Sequence, residues 1–255
     1  MAIKSKLDCL AWVRKPKTAT PLSPQKFLRN CSGTFSVMTP LCLTSAIAIL
    51  LGMVLALSTA VAVASPATPE EGFDYQVLSS PQPTQAGGKV EVIEFFWYDC
   101  PHCNTMAPLI EPWAKRQRNS IAFKRIPVAR NKGAILQQQL YYALESLGKV
   151  EELHSLIFNA IHEEWIPLKT TEQMADFLEK QGVGKNIFLK TINSAAVMKK
   201  VQRAQQLTAA YGVDSVPTIA VNGQYVTSAS MLGGNQADVL PVADYLVAKS
   251  KRRSP

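Results

Sequence analysis

The first pattern along the chain is a long uncharged stretch. No Asp, Glu, Lys or Arg occurs from Asn30 to Pro69. Its densest apolar run, residues 46–57 (AIAILLGMVLAL), gives way to small residues ending in Ala62-Val63-Ala64 ahead of Ser65. A basic segment, a short apolar core and an Ala-x-Ala site read as a secretory signal peptide over residues 1–64, cleaved after Ala64. The competing reading is a retained anchor, because residues 41–64 are long enough to span a bilayer. In either reading the remainder of the chain is exported.

Beyond the leader the pattern changes several times. Residues 65–88 read as a Pro-rich linker containing a short edge strand at 73–78 (FDYQVL). Residues 89–96 (KVEVIEFF) have the Val, Ile and Phe content of a buried strand. A helical pattern follows through Met106, Leu109, Ile110 and Trp113, with Pro108 and Pro112 expected to kink it. Residues 121–128 (IAFKRIPV) read as a second strand. Residues 133–211 then carry only helical periodicity. One helix runs through Leu136, Leu140 and Leu144 to a stop at Gly148, and another through Val150, Leu153, Ile157 and Ile161. Thr170-x-x-Gln173 is a capping box opening a third helix at 172–180. A fourth runs through Val197, Val201 and Ala204 to Gly212. Strands return at 216–221 (VPTIAV), the Asn222-Gly223 pair predicts a tight hairpin, residues 225–228 pair back, and an amphipathic helix covers 236–249. This order predicts an α/β core, residues 89–132 and 212–250, interrupted by an all-helical insertion at 133–211.

A chain of 255 residues with 47% hydrophobic and 18% charged content is no disordered chain, collagen or polytopic membrane protein. Its net charge of +8 divides unevenly. Residues 1–64 hold seven Lys and Arg against Asp8 alone, whereas residues 65–255 hold 20 against 18 Asp and Glu. The folded part therefore lacks the basic stripe that nucleic-acid binding needs. The terminal Lys249, Lys251, Arg252 and Arg253 read as a solvated, frayed end.

The cysteines divide in the same way. Cys9, Cys31 and Cys42 lie in the leader, which leaves Cys100 and Cys103 alone in the exported part. One close pair is not a disulfide scaffold. Either it does redox chemistry, or it forms an inert disulfide, or it binds metal. A structural zinc site needs two further Cys or His ligands, and the other histidines, His154 and His162, read as solvated positions of the helical block. In Cys100-Pro101-His102-Cys103 the first thiol lies where a strand gives way to a helix, so unpaired amides and the helix dipole favour its thiolate. His102 adds to that when protonated or donating. Pro101 suits the first turn, where a missing N–H costs little. Cys103, one turn inside, is the candidate buried, resolving thiol. A stabilised thiolate favours the reduced pair, so its disulfide is an oxidant.

Glu94-Phe95-Phe96 followed by Cys-Pro-His-Cys resembles the DsbA thiol:disulfide oxidoreductases of the bacterial periplasm. Val216-Pro217-Thr218 with Val221-Asn222-Gly223 is similar to that family's cis-proline loop and hairpin. The resemblance covers roughly residues 73–249 and implies a thioredoxin fold with an inserted all-helical subdomain. It implies Cys100 as the nucleophile that forms a mixed disulfide, Cys103 as the resolving thiol, His102 as a thiolate-stabilising residue, and Val216-Pro217 as a cis peptide facing the thiols. The backbone of Val216, with Thr218 beside it, would pair with a bound peptide. Glu94 and Lys124 match a buried charged pair beneath the site, either a structural ion pair or a proton relay tuning Cys103. Trp97 is open to two readings, core residue or apolar lip for unfolded chains. Asp99 departs from the relatives' apolar residue. It reads as a helix N-cap, yet an anion beside Cys100 opposes the thiolate.

The implied activity is donation of the Cys100–Cys103 disulfide to newly exported cysteine-containing proteins. The protein would act as a monomer with no cofactor beyond that disulfide and no nucleic acid, reoxidised by an inner-membrane partner of the DsbB type. A reductase or isomerase, or a metal-binding module built on the same pair, is the alternative. Only about 25 residues precede the first core strand, too few for the dimerisation domain of the usual isomerase design.

Overall fold

The computed structural model describes residues 68–253, so the predicted signal peptide and its retained-anchor alternative lie outside the described residues. Five strands form one sheet: β1 (Gln76–Val77), β2 (Val90–Phe96), β3 (Ile121–Pro127), β4 (Thr218–Val221) and β5 (Tyr225–Ser228), in the order β1-β5-β4-β2-β3. Strand β2 is the axis. It runs parallel to β3 and antiparallel to β4, and all seven of its residues are buried. Burial on both faces explains why VEVIEFF reads as a nearly continuous apolar run rather than an alternating one.

Between β2 and β3 lies α1 (Pro101–Arg116). Its buried residues Cys103, Met106, Ala107, Ile110, Trp113 and Ala114 recur at i, i+3, i+4 and i+7. The helical run is unbroken through Pro108 and Pro112, where the sequence predicts a kink. Both prolines sit on the exposed side, where water can serve the carbonyls that lose their N–H partners. With α7 (Val239–Arg253), α1 covers one face of the sheet through a cluster of Val92, Met106, Ile110, Val221, Val242 and Leu246.

The other large cluster joins Ile93 and Phe95 to the helical block. The block comprises α2 (Lys132–Ser146), α3 (Val150–His162), α4 (Thr171–Lys180), α5 (Lys185–Ile192) and α6 (Ala195–Ala210). The capping box opens α4, with Gln173 N–H donating to Thr170 Oγ1 at 3.2 Å and Thr170 N–H to Gln173 Oε1 at 3.1 Å. Helix α5 was not foreseen. It has only eight residues, and only Phe188 and Ile192 are buried, too few to show a period. No helix among the described residues is long and apolar enough to cross a membrane.

The last helix also differs from expectation. It continues to Arg253, and Lys249 is not a frayed, solvated end. Its Nζ donates to the Tyr75 hydroxyl at 2.6 Å and lies 4.8, 5.3 and 5.8 Å from the ring centroids of Tyr75, Tyr225 and Tyr245. These cation–π contacts fasten α7 to the segment just ahead of β1 and to the start of β5.

The hairpin turn is as predicted, with Asn222 and Gly223 both left-handed at φ 54° and 66°. Gly223 meets a second constraint. Its carbonyl accepts the Gln82 N–H at 2.7 Å, and a Cβ there would stand 2.1 Å from the Gln82 carbonyl oxygen. Gly223→Ala should therefore lower the unfolding free energy by about 2 kcal/mol or more, combining left-handed strain with a backbone clash. Urea unfolding against the parent protein measures this.

Candidate active site

Strand β2 ends at Phe96, and α1 begins five residues later at Pro101, with Cys100 at the N-cap. The turn between them closes through a 3.1 Å bond from Cys100 N–H to the Trp97 carbonyl. No side-chain hydrogen bond of the usual oxygen kind caps the helix. The sulfur stands in that place, and as a thiolate it receives what the free end of a helix offers. The strongest influence lowering the Cys100 pKa is hydrogen bonding from the Cys103 thiol. Burial opposes it, while the Cys103 and His102 amides and the His102 charge add to it. The balance brings Cys100 down to about 6. Cys103 is fully buried, and desolvation together with the neighbouring Cys100 pushes its thiol far up. His102 is exposed at the first turn. Both cysteines stand as free thiols.

Opposite them the Val216-Pro217 peptide is cis, and the Val216 carbonyl lies 3.4 Å from Cys100 Sγ, within reach of its S–H. Thr218 opens β4 and is buried, and its hydroxyl is spent on the Ser215 carbonyl at 2.8 Å. Its backbone stands between Phe95 and Ser228 in the sheet. Trp97 is half-buried and packs against the core, with its indole N–H buried and lacking a partner.

Two predicted pairings need correction. Glu94 does not pair with Lys124. Lys124 bonds to Glu91 and is partly exposed, whereas Glu94 accepts from Arg125 Nε at 3.1 Å. The register explains this. In the parallel β2–β3 pair Glu94 stands opposite Arg125, and Lys124 stands opposite Ile93 on the other face. Arg125 also meets Glu111 at 3.4 Å and Glu151 at 3.7 Å. Complete burial outweighs the Arg125 attraction, so the Glu94 carboxyl titrates above its usual range, and its Oε1 has no partner. Its charge is one of the influences raising Cys103.

Asp99 is not the N-cap of α1. Its carboxylate bonds instead to the Lys169 ammonium, on the segment ahead of α4. The histidines of the block are not solvated either. His154 is buried, with its pKa pushed down chiefly by desolvation, and its Nδ1 shares a 2.9 Å hydrogen bond with the Tyr98 hydroxyl. His162 Nε2–H donates to the Tyr98 carbonyl at 2.8 Å. Sequence reasoning missed Arg125, Lys169 and both histidines as neighbours of the site. Only Arg125 had a signal, the residue offset of the two strands. Among the described residues no group of three or more His, Cys, Asp or Glu side chains is placed to hold a metal ion.

A thioredoxin-like sheet that presents Cys-x-x-Cys at a helix N-terminus, across from a cis-proline, defines the thiol:disulfide oxidoreductases. Residues 91–240 match the model of the DSBA-like thioredoxin domain. The chain belongs to this family, whose redox group is the cysteine pair. It is 47% identical over 174 residues to the thiol:disulfide interchange protein DsbA of Burkholderia cepacia, an alignment covering 68% of this chain and 82% of that one. The crystal structure of Pseudomonas aeruginosa DsbA superposes with a TM-score of 0.69 at 40% identity, covering 72% of this chain and 95% of the other. DsbA from Xylella fastidiosa gives 0.68 at 30%, covering 73% and 100%.

Two outcomes follow from this geometry. In the folded state Cys100 gives up its proton near pH 6, whereas an unfolded thiol holds it to about 8.5. Between those values the unfolded chain binds more protons, so the reduced protein should gain stability as pH rises, by on the order of 3 kcal/mol. The gain should be lost as pH falls through 6. The raised Cys103 acts only above the ordinary thiol range, where it opposes further gain. Urea unfolding of the reduced protein from pH 5 to 8.5 reads the slope, and Cys100→Ser should flatten it. Separately, Arg125→Met should cost about 3–5 kcal/mol by leaving Glu94 buried without its partner, and more than Lys124→Met, which leaves the buried Glu91 its 3.2 Å bond from the Gln85 N–H.

Proposed function

We propose that this protein is a dithiol oxidase that donates the Cys100–Cys103 disulfide to newly exported proteins in the periplasm. The carrying observation is the convergence of the Cys103 thiol and the first amides of α1 on the Cys100 sulfur. These groups stabilise the thiolate that appears when the disulfide is reduced, and so make the disulfide a good electron acceptor. The relatives are thiol:disulfide interchange proteins by name, which supports the same chemistry.

The reaction runs in two displacements. A substrate thiolate attacks Cys100 Sγ, the Cys100–Cys103 bond breaks, and Cys103 leaves as a thiolate. The buried Cys103 then takes up a proton, and Glu94, a carboxyl that burial makes readier than usual to bind one, is the group suited to pass it. Glu94 thus combines the ion pair with Arg125 and the relay. A second thiolate of the substrate attacks its own sulfur in the mixed disulfide, expelling Cys100, which its surroundings hold as a thiolate. The substrate has lost two electrons and two protons, and the enzyme has gained the two electrons. His102 favours the expelled thiolate from the solvent side. The extended backbone at Val216, facing Cys100, receives the substrate main chain as an added strand, with Pro217 setting the approach and Trp97 forming part of the adjoining apolar surface.

The cysteine pair alone carries the electrons, so no further cofactor enters the reaction. The protein acts as a monomer and is exported by its N-terminal segment. A membrane-bound partner of the DsbB type removes the two electrons and restores the disulfide. The one observation that favours a reductase or isomerase instead is Asp99, an anion next to the reactive thiol.

Equilibration of the purified protein in glutathione buffers separates the two. A potential more oxidising than about −180 mV is expected, with catalysed oxidation of a reduced, unfolded substrate. A potential near about −270 mV would move the reading to reductase. Cys100→Ser should abolish the activity, and Cys103→Ser should trap the mixed disulfide.

A further inference from the structure

Asp99 and Lys169 form an ion pair that joins the active-site turn to the helical block. Asp99 immediately precedes the reactive Cys100 in the chain, and an anion close to a thiol disfavours its thiolate. Its partner is held in place. Leu168 is buried in the core, and the Lys169 N–H donates to Gln173 Oε1 at 2.9 Å, the same oxygen that receives the Thr170 N–H of the capping box. The Lys169 backbone is therefore fixed by the start of α4, and its side chain reaches across to Asp99. His162, also from the helical block, holds the Tyr98 carbonyl. The other charged or titratable groups about this corner are His102, Cys103 and, bonded through Asn104 at 3.4 Å, Glu163.

We propose that Lys169 is a positioning residue for the redox reaction: its ammonium neutralises Asp99, the anion next to Cys100 in the chain, and so favours the Cys100 thiolate. The helical block then contributes a charge to the reacting sulfur's surroundings. Without Lys169 this chain would carry the anion of Asp99 beside its nucleophile with nothing to balance it. This inference rests on Cys100 being the reactive thiol. The titration of the parent protein tests that assignment independently of the differences between variants.

The test is the pH titration of Cys100, followed by thiolate ultraviolet absorbance at low ionic strength, in the parent protein and four variants. Lys169→Gln should raise the Cys100 midpoint by about half a unit, roughly threefold in its ionisation constant, because it exposes the thiolate to Asp99. Asp99→Asn should lower it by a similar amount, because it leaves the lysine unopposed. The double variant should return near the parent value, and Lys169→Arg should retain it. The reduction potential should follow the same order, with Lys169→Gln the least oxidising. A purely structural pair gives a different pattern, since both single variants break the same link and would shift the midpoint in the same direction. Shifts of the same sign, or no shift with Lys169→Gln while the parent titrates near 6, would overturn the proposal.

Discussion

Cys100 and Cys103 are three residues apart, yet they meet opposite electrostatic conditions because one stands at the end of α1 and the other inside its first turn. Amides that no helical carbonyl can reach are directed at Cys100, and the Cys103 thiol donates to it. Cys103 is enclosed and cannot ionise without losing its solvation. The rest of the site follows from this difference. Only one sulfur is accessible enough to form a mixed disulfide, only the other can resolve it internally, and the reduced pair holds a single negative charge in a definite place.

The fold serves that asymmetry by fixing where α1 starts. Strand β2 is buried on both faces and paired on both edges, so its end at Phe96 is a rigid point from which the turn to Cys100 departs. The adjacent β4 begins just after Pro217, which brings the Val216 carbonyl to Cys100 from the other side. Glu94 occupies the same central strand, and its burial is tolerated because Arg125 stands directly opposite in register, itself shared with Glu111 and Glu151. A buried carboxylate with one oxygen unpartnered is costly. Its charge is one of the influences that raise the Cys103 thiol.

Much of this was legible in the sequence where local chemistry decides the outcome. The Asn-Gly segment, the Thr170 capping box and the strand ahead of Cys-Pro-His-Cys each carry their own physical signature, whereas the Val-Pro-Thr loop was legible only through the resemblance to a family. What was not legible depended on register or on distant elements. Taking Lys124 instead of Arg125 as the partner of Glu94 is an error of one residue, and in a strand that is the difference between two faces. Asp99 looked like a cap because a carboxylate before a helix usually is one. The helix instead begins one residue later, with sulfur at the cap, and a lysine seventy positions away takes the carboxylate. His154 and His162 appeared as isolated polar positions on helices, and nothing local indicates that both are directed at Tyr98.

Those distant contacts change the meaning of the helical block. An insertion that only enlarged the core would meet the sheet through apolar surface, as Phe158 and Leu144 do. This block also holds the turn before the nucleophile by three polar contacts: His154 on the Tyr98 hydroxyl, His162 on the Tyr98 carbonyl and Lys169 on Asp99. They act on consecutive residues immediately before Cys100. The turn is therefore held by the insertion through the Tyr98 and Asp99 side chains and one backbone carbonyl, while the Val216 carbonyl stands near Cys100. The thioredoxin-like core supplies the chemistry of a dithiol, and the helices around it decide how firmly the reactive sulfur is held and which charges surround it.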